Sequence, residues 1–237
     1  MTNLVIAHRG IHNNKDIPEN SILAFKEAIK GNLPIEFDIR ITKDNKLVVF
    51  HDGNLKRMTG IDKNIEELTL DEVKNIHLLN TKEKFPTLKE VLDLVNGKVL
   101  LDIEIKNTKK KNEIINLLLG ELDKYKGEVI LKSFNPIIMK KIKNKTNKYK
   151  LGLLVTNHSN NKILDKLYHT NIFLNYLKPD FIAIDKRMLN EKYYKKVKDK
   201  YLIFIWTIKS CEELNKYKNK YFNLTYLCNN LLSEDFF

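Results

Sequence analysis

Eight short apolar runs of strand length recur along this chain with helix-like segments between them, and that alternation narrows the fold more than any single motif does. The runs are Leu4 to Ala7, Ile35 to Ile39, Val99 to Ile105, Val129 to Lys132, Leu151 to Val155, Phe181 to Ile184, Leu202 to Trp206 and Leu224 to Leu227. Several intervening segments carry helix start signals. Thr87-Leu-Lys-Glu90 is a capping box after Pro86, with Leu88, Val91, Leu92 and Val95 on one face. Asn135-Pro136 sets a cap residue before a proline at the first helical position, and Ser210-Cys-Glu-Glu213 reads as a second capping box. Asn20 or Ser21 caps a first helix that Gly31 ends. Such alternation packs as a parallel βα sheet, and eight units close most economically into a TIM barrel, although an open doubly wound sheet shares much of the pattern.

Two features depart from an ideal barrel. The segment from about Gly53 to Phe85 is too long for a βα loop and holds its own capping box at Thr69-Leu-Asp-Glu72, which predicts a small inserted subdomain at about 53–85. After the last run only Asn229 to Phe237 remain, too few for a full closing helix, which predicts a barrel truncated at its C-terminal end. At 237 residues and 43% hydrophobic, the chain suits a single barrel domain over 1–237.

The formal charge of +12 raises nucleic acid as a partner. Lysine outnumbers arginine 38 to 4, however, and the lysines are scattered without interleaved aromatics, which predicts a solvated surface and no nucleic-acid partner. Met1-Thr2-Asn3 shows no basic start of a signal peptide, no run is long enough to span a bilayer, and Cys211 and Cys228 make no disulfide framework. These features predict cytoplasmic residence without stable membrane insertion. The scarcity of arginine also makes Arg9, beside a histidine at a strand end, worth singling out.

Glu36 and Asp38 sit two apart on one strand and so face the same side. Asp102, Glu104 and Lys106 repeat that spacing on the next predicted parallel strand. Like charges gathered this way are expensive unless a cation joins them, and Glu36, Asp38 and Glu104 are expected to converge without enough fixed positive charge to balance them. Carboxylate oxygens lacking His or Cys at ligand spacing suit Mg²⁺ or Ca²⁺. His8-Arg9-Gly10 closes the first strand at the rim where barrel active sites form. Arginine offers phosphate oxygens a planar fork, and histidine exchanges protons near neutral pH. The run from Ile39 to His51 reads as a hairpin around Asp44-Asn45, with Ile41 opposite Val48, Ile39 opposite Phe50 and Asp38 facing His51. His12, His77, His158 and His169 lack acidic strand partners and read as surface or structural residues, and Lys109-Lys-Lys111 as a solvated helix start.

His8-Arg9-Gly10, Pro18-Glu19-Asn20-Ser21, Glu36-Phe-Asp38, His51-Asp52, Glu104-Ile-Lys106, Ser133-Phe134-Asn135-Pro136 and Trp206-Thr207, in that order, resemble the glycerophosphodiester phosphodiesterase family. The resemblance covers nearly the whole chain. It implies a TIM barrel with an insertion after the His-Asp motif and hydrolysis of a small-molecule glycerophosphodiester to glycerol 3-phosphate and an alcohol. By position it implies Glu36, Asp38 and Glu104 as metal ligands, His8 and His51 as the acid-base pair, and Arg9 and Lys106 as phosphate contacts; Trp206, at the end of its strand, reads either as a platform for glycerol carbons, which the resemblance favours, or simply as core. The chain departs from the family pattern in having Lys209 where asparagine is usual. It also has Asn223-Leu-Thr-Tyr-Leu-Cys-Asn229 where Gly and Asp usually precede a Thr-Asp pair. Two alternatives stand beside this reading: a phospholipase or lyase acting on lysophospholipids or sphingomyelin, and a barrel-fold binding module without turnover.

Overall fold

Each of the eight apolar runs forms a strand in the computed structural model, which describes residues 4–156, 172–221 and 224–229. β1 (Val5–His8) pairs in parallel with β2 (Ile35–Ile41) on one side and with β9 (Leu224–Cys228) on the other. From β2 the ring runs through β4 (Leu101–Ile105), β5 (Val129–Ser133), β6 (Lys150–Val155), β7 (Phe181–Asp185) and β8 (Leu202–Ile208) to β9. The eight parallel strands therefore close into a TIM barrel. Closure includes the unusual last strand, whose Tyr226, Leu227 and Cys228 pair with Val5, Ile6 and Ala7.

Strand alternation sets what faces inward. Ile35, Phe37, Ile39 and Ile41 of β2, with Leu101, Ile103 and Ile105 of β4, join the large core between strands and helices. The residues between them, Glu36, Asp38, Asp102 and Glu104, are thereby turned to the lumen, where a smaller apolar cluster of Ile6, Ile130, Leu154, Phe181, Ala183, Phe204 and Leu227 fills the space beside them. Gly152 of β6 makes this packing possible. A Cβ there would lie 2.2 Å from the ring of Phe181, which stacks on Phe204 with centroids 4.4 Å apart. Gly152→Ala is expected to cost about 1–3 kcal/mol by overpacking, seen as a melting temperature several degrees lower. An unchanged melt would show that the ring yields freely.

Around the barrel, α1 (Ile22–Lys30) is capped by Ser21, whose side chain accepts from the Ala24 N–H, and ends at Gly31. α4 (Leu88–Val95) begins with the reciprocal Thr87–Glu90 box, and Asn135 caps α6 (Pro136–Lys145). The remaining helices of the outer layer among the described residues are α5 (Lys111–Leu122), α7 (Ile172–Leu177), α8 (Glu191–Val197) and α9 (Cys211–Lys220). At α9 the expected box is only half formed. Ser210 accepts from the Glu213 N–H, but the Glu213 carboxylate accepts from the Lys209 N–H and from Lys186 instead of reaching back to Ser210.

The insertion gathers α2 (Lys56–Thr59), a 3-10 turn (Ile65–Glu67) and α3 (Leu70–Lys74) around Leu55, Met58, Ile65, Leu68, Val73, Leu78 and Phe85. Val48 and Phe50 join this second cluster and tie it to the barrel. β3 (Leu47–Val49) pairs antiparallel with β2, placing Ile39 opposite Val49 and Ile41 opposite Leu47. The register is thus one residue from the sequence expectation. Asn45 adopts a positive φ of 59° and Thr42 N–H donates to the Lys46 carbonyl, so the loop holds three residues rather than two. Lys110 is not merely solvated, because its ammonium donates to the carbonyls of Thr42 and Lys43 and to Asn45 Oδ1, pinning that loop. His158, His169, Asn223 and the expected truncated end beyond Asn229 lie outside the described residues.

Candidate active site

The rim at the end of β1 is built by two consecutive left-handed residues, Arg9 (φ 60°) and Gly10 (φ 78°). At Gly10 any Cβ would press on Ala24 at 2.9 Å, so the turn requires glycine. The turn aims the Arg9 N–H at Glu36 Oε2 (3.1 Å) and the guanidinium at Glu19 (2.7 Å) and Asp38 (3.6 Å). Strand register then sets Glu36 beside His8 and Asp38 beside Glu104.

Glu36, Asp38 and Glu104 each present a carboxylate oxygen within 4.8 Å of the others, all three residues being buried. These hard oxygen donors form an acidic cluster able to bind a metal ion. The expectation of uncompensated charge does not hold. Lys106 lies 2.7 Å from Asp38 Oδ1 and 2.5 Å from Glu104 Oε1, and the wholly buried Lys132 lies 2.6 Å from Asp102 and 3.2 Å from Glu36. Burial opposes the charge on Lys132, but Asp102 and Glu36 outweigh it and raise the lysine pKa. Asn20 adds a hydrogen bond to Asp38 Oδ2 at 2.9 Å. Lys106, expected as a phosphate contact, is in this state the bridge between two carboxylates.

The two histidines differ in environment. His8 Nδ1 meets Asn229 Oδ1 at 2.6 Å, and since an amide oxygen only accepts, Nδ1 carries the proton and the Nε2 lone pair is left available. Burial, helped by the Arg9 charge, holds the His8 pKa well below 6.5, so the ring is neutral at physiological pH. His51 Nδ1 pairs with Asp52 at 2.7 Å, and its backbone carbonyl accepts two hydrogen bonds from Arg40. Against the upward push of burial, hydrogen bonds from His51 and Arg57 hold Asp52 well below the usual carboxylate range.

His8, Arg9, Glu36, His51, Glu104, Lys106 and Trp206 all line one small cavity of about 70 Å³, together with Lys132 and Phe134. Trp206 donates its indole N–H to the Ala183 carbonyl and meets Phe134 edge-on, centroids 5.6 Å apart. Asp38 contributes from beneath through Lys106 and Arg9. Of the other histidines, His77 is exposed and His12 is buried, 5% exposed, with its pKa lowered by burial.

Sequence reasoning passed over a supporting network. Glu19, 4% exposed, accepts from Arg9 (2.7 Å), from Arg57 of α2 (2.6 Å) and from Asn14 (2.8 Å), and Arg57 also donates to Asp52 at 2.6 Å. Although burial pushes Glu19 up, the Arg57 hydrogen bond and the charges of both arginines hold it at about 2. Arg57 thus joins the insertion to Asp52, and through it to His51. Arg57→Ala is expected to lower kcat by up to about 10²-fold with little change in KM, because the His51 ring loses its fixed orientation. Arg57→Lys should recover part of that loss, and equal defects in the two variants would show that Arg57 serves stability alone.

Residues 8–207 match the glycerophosphoryl diester phosphodiesterase family, and the chain belongs to it. By family it is a glycerophosphodiester phosphodiesterase, a phosphoric diester hydrolase. A glycerophosphodiester phosphodiesterase of Caldanaerobacter subterraneus is 39% identical over 165 residues, which cover 65% of this chain and 67% of that protein. A phosphodiesterase of Oleispira antarctica, solved with the product sn-glycerol-3-phosphate, superposes with a TM-score of 0.82 at 21% identity, covering 97% of this chain and 93% of that one. A glycerophosphodiester phosphodiesterase of Thermotoga maritima gives a TM-score of 0.72 at 28% identity, covering 95% of this chain and 93% of its own. Among the described residues no helix is long and apolar enough to cross a membrane.

Proposed function

We propose that this chain hydrolyses small glycerophosphodiesters to glycerol 3-phosphate and an alcohol, by acid-base catalysis between His8 and His51. The observation that carries the reading is that His8 and His51 line one cavity, His8 with its Nδ1 held by Asn229 and His51 backed by the Asp52 carboxylate. Glu36, Asp38 and Glu104 would hold Mg²⁺ or Ca²⁺, which when bound supplies positive charge at the non-bridging phosphate oxygens. Arg9 and Lys106, which also line the cavity, add their charge.

A phosphodiester resists attack because its charge repels nucleophiles and its alkoxide leaves poorly. His8 Nε2 takes the proton of the glycerol 2-hydroxyl, whose oxygen bonds to phosphorus, while His51 protonates the departing alcohol oxygen as its P–O bond breaks. Asp52 balances the positive charge that His51 carries as an acid. In the second half His51 takes a proton from water attacking the cyclic phosphate, and His8 returns its proton to the glycerol oxygen. Trp206 and Phe134 form an apolar wall for the glycerol carbons. The insertion at 53–85 serves the single domain by presenting Arg57 to Asp52 beside His51. Two free thiols, Cys211 and Cys228, favour residence in the cytoplasm.

The test is release of glycerol 3-phosphate from a panel of soluble glycerophosphodiesters, with chelator and with each metal; no release with any metal would end this reading. Asn229 offers a finer check. Asn229→Asp places a carboxylate on His8 Nδ1, which favours imidazolium and raises its pKa, so the acid limb of kcat/KM should move to higher pH. An unmoved limb would remove His8 from the role of base.

A further inference from the structure

Lys132 borders the catalytic cavity, yet the proposed chemistry leaves it without a task. On β5 it stands opposite Glu104 of β4 and two residues from Ile130, so it turns to the lumen. Among the described residues no other lysine is wholly buried. Taking an ammonium out of water is unfavourable unless anions meet it, and two do. Asp102, which does not line the cavity, accepts from it at 2.6 Å, and Glu36 Oε1 lies 3.2 Å away. The ammonium is thus anchored on one side and presented to a metal-binding carboxylate on the other.

The two oxygens of Glu36 therefore keep different company. Oε1 faces Lys132, whereas Oε2 accepts the Arg9 N–H at 3.1 Å and lies 3.9 Å from His8 Nε2. A divalent ion on Oε1 would stand beside a fixed positive charge, and water screens that repulsion little in the barrel interior. Glu36 is left with one oxygen to offer. Lys106 likewise occupies one oxygen each of Asp38 and Glu104, but it is 9% exposed, whereas Lys132 is sealed in and held by Asp102. Ca²⁺ gathers about six to eight oxygens and often takes both oxygens of a carboxylate, while Mg²⁺ takes roughly six, with water and phosphate completing its shell. We propose that Lys132 is a specificity-determining residue of the metal site, which holds Glu36 to a single metal-facing oxygen and so biases the site toward Mg²⁺ over Ca²⁺. This rests on the metal assigned under the proposed function and is independent of the substrate assigned there.

The experiment is calorimetric titration with MgCl₂ and with CaCl₂ of the wild type, Asp102→Asn, and the paired variant Asp102→Asn, Lys132→Met. Both charges are removed together because a buried acid left without its partner is strongly destabilising. Should the pair fail to fold, Asp102→Asn, Lys132→Gln keeps a hydrogen bond between the two positions and gives the same reading. Both ions are divalent, so loss of the ammonium's field alters the two affinities alike and cancels in their ratio. A role in holding Glu36 does not cancel. In the paired variant the ratio should move toward Ca²⁺ by at least about tenfold, the worth of one contact to a charged group. It should stay near the wild-type value in Asp102→Asn, where Lys132 remains. An unmoved ratio in the pair, or an equal shift in Asp102→Asn alone, would overturn the proposal. Binding that survives Glu104→Gln would place the ion elsewhere and overturn it too, as would a wild type that binds neither ion. A shifted ratio in a protein that cleaves no glycerophosphodiester would sustain the role of Lys132 and end the proposed function instead.

Discussion

Replacing His51 with alanine should lower turnover by about 10²- to 10⁴-fold, the usual worth of positioned acid-base catalysis, and leave the fold intact. The ring is about one-third exposed and sits at the rim, outside both large apolar clusters, so its removal opens no core cavity. His8→Ala should cost a similar factor, although that side chain is buried, and the loss of its bond to Asn229 adds a modest fall in melting temperature. The pair can be told apart with a substrate whose leaving alcohol is intrinsically good. Such a substrate needs little protonation at the departing oxygen, so it should rescue much of the His51→Ala defect and little of the His8→Ala defect. Equal rescue of both would contradict the division of roles, and near-wild-type rates in metal-saturated His51→Ala would remove His51 from the chemistry.

Glu104→Gln should abolish most activity and remove most of the stabilisation that Mg²⁺ or Ca²⁺ confers on the wild type. A ligand at a hundred times its dissociation constant stabilises by about 2.7 kcal/mol, or several degrees in a chain of this size. With chelator present, the structure changes what the sequence alone suggests. Convergent carboxylates without counter-charge would be relieved by the substitution, but Lys106 bridges Asp38 and Glu104, so the neutral variant loses a buried ion pair and should melt below the wild type. Thermal melts of both proteins, with chelator and with each metal, separate the outcomes. A variant that gains as many degrees from metal as the wild type does would take Glu104 out of the metal site.

Much of this was legible in the chain because burial on both faces writes itself as continuous apolar sequence. The β2 and β4 strands stood out for the further reason that acidic residues interrupt an apolar run with period two, and only a polar lumen tolerates that. The hairpin register slipped because a side chain offers little warning that Asn45 will take a left-handed turn. Lys132 was taken simply as the end of an apolar run, since in a lysine-rich chain one more lysine carries little information until Asp102 and Glu36 are seen around it. Glu19 and Arg57 are 38 positions apart, and nothing local in either segment reveals that one carboxylate joins two arginines. The unbalanced-charge expectation failed because it reserved Lys106 for phosphate and passed over Lys132 of β5, whereas together the two lysines contact all three acids.

The bond between His8 and Asn229 spans 221 positions of sequence. Ribosomes add about 5–20 residues per second, so about 10 to 40 s separate the emergence of the histidine from that of the amide that holds its proton. Throughout that interval β1 has no β9 to pair with, the ring is open, and the imidazole that should be dry stands in water with an ordinary affinity for protons. A nascent chain can therefore expose its acidic cluster and Arg9 while the surroundings of His8 are still incomplete. If His8 is the base as proposed, hydrolytic competence waits until synthesis has passed the last strand, and a polypeptide that stops after β8 should be inert rather than partly active.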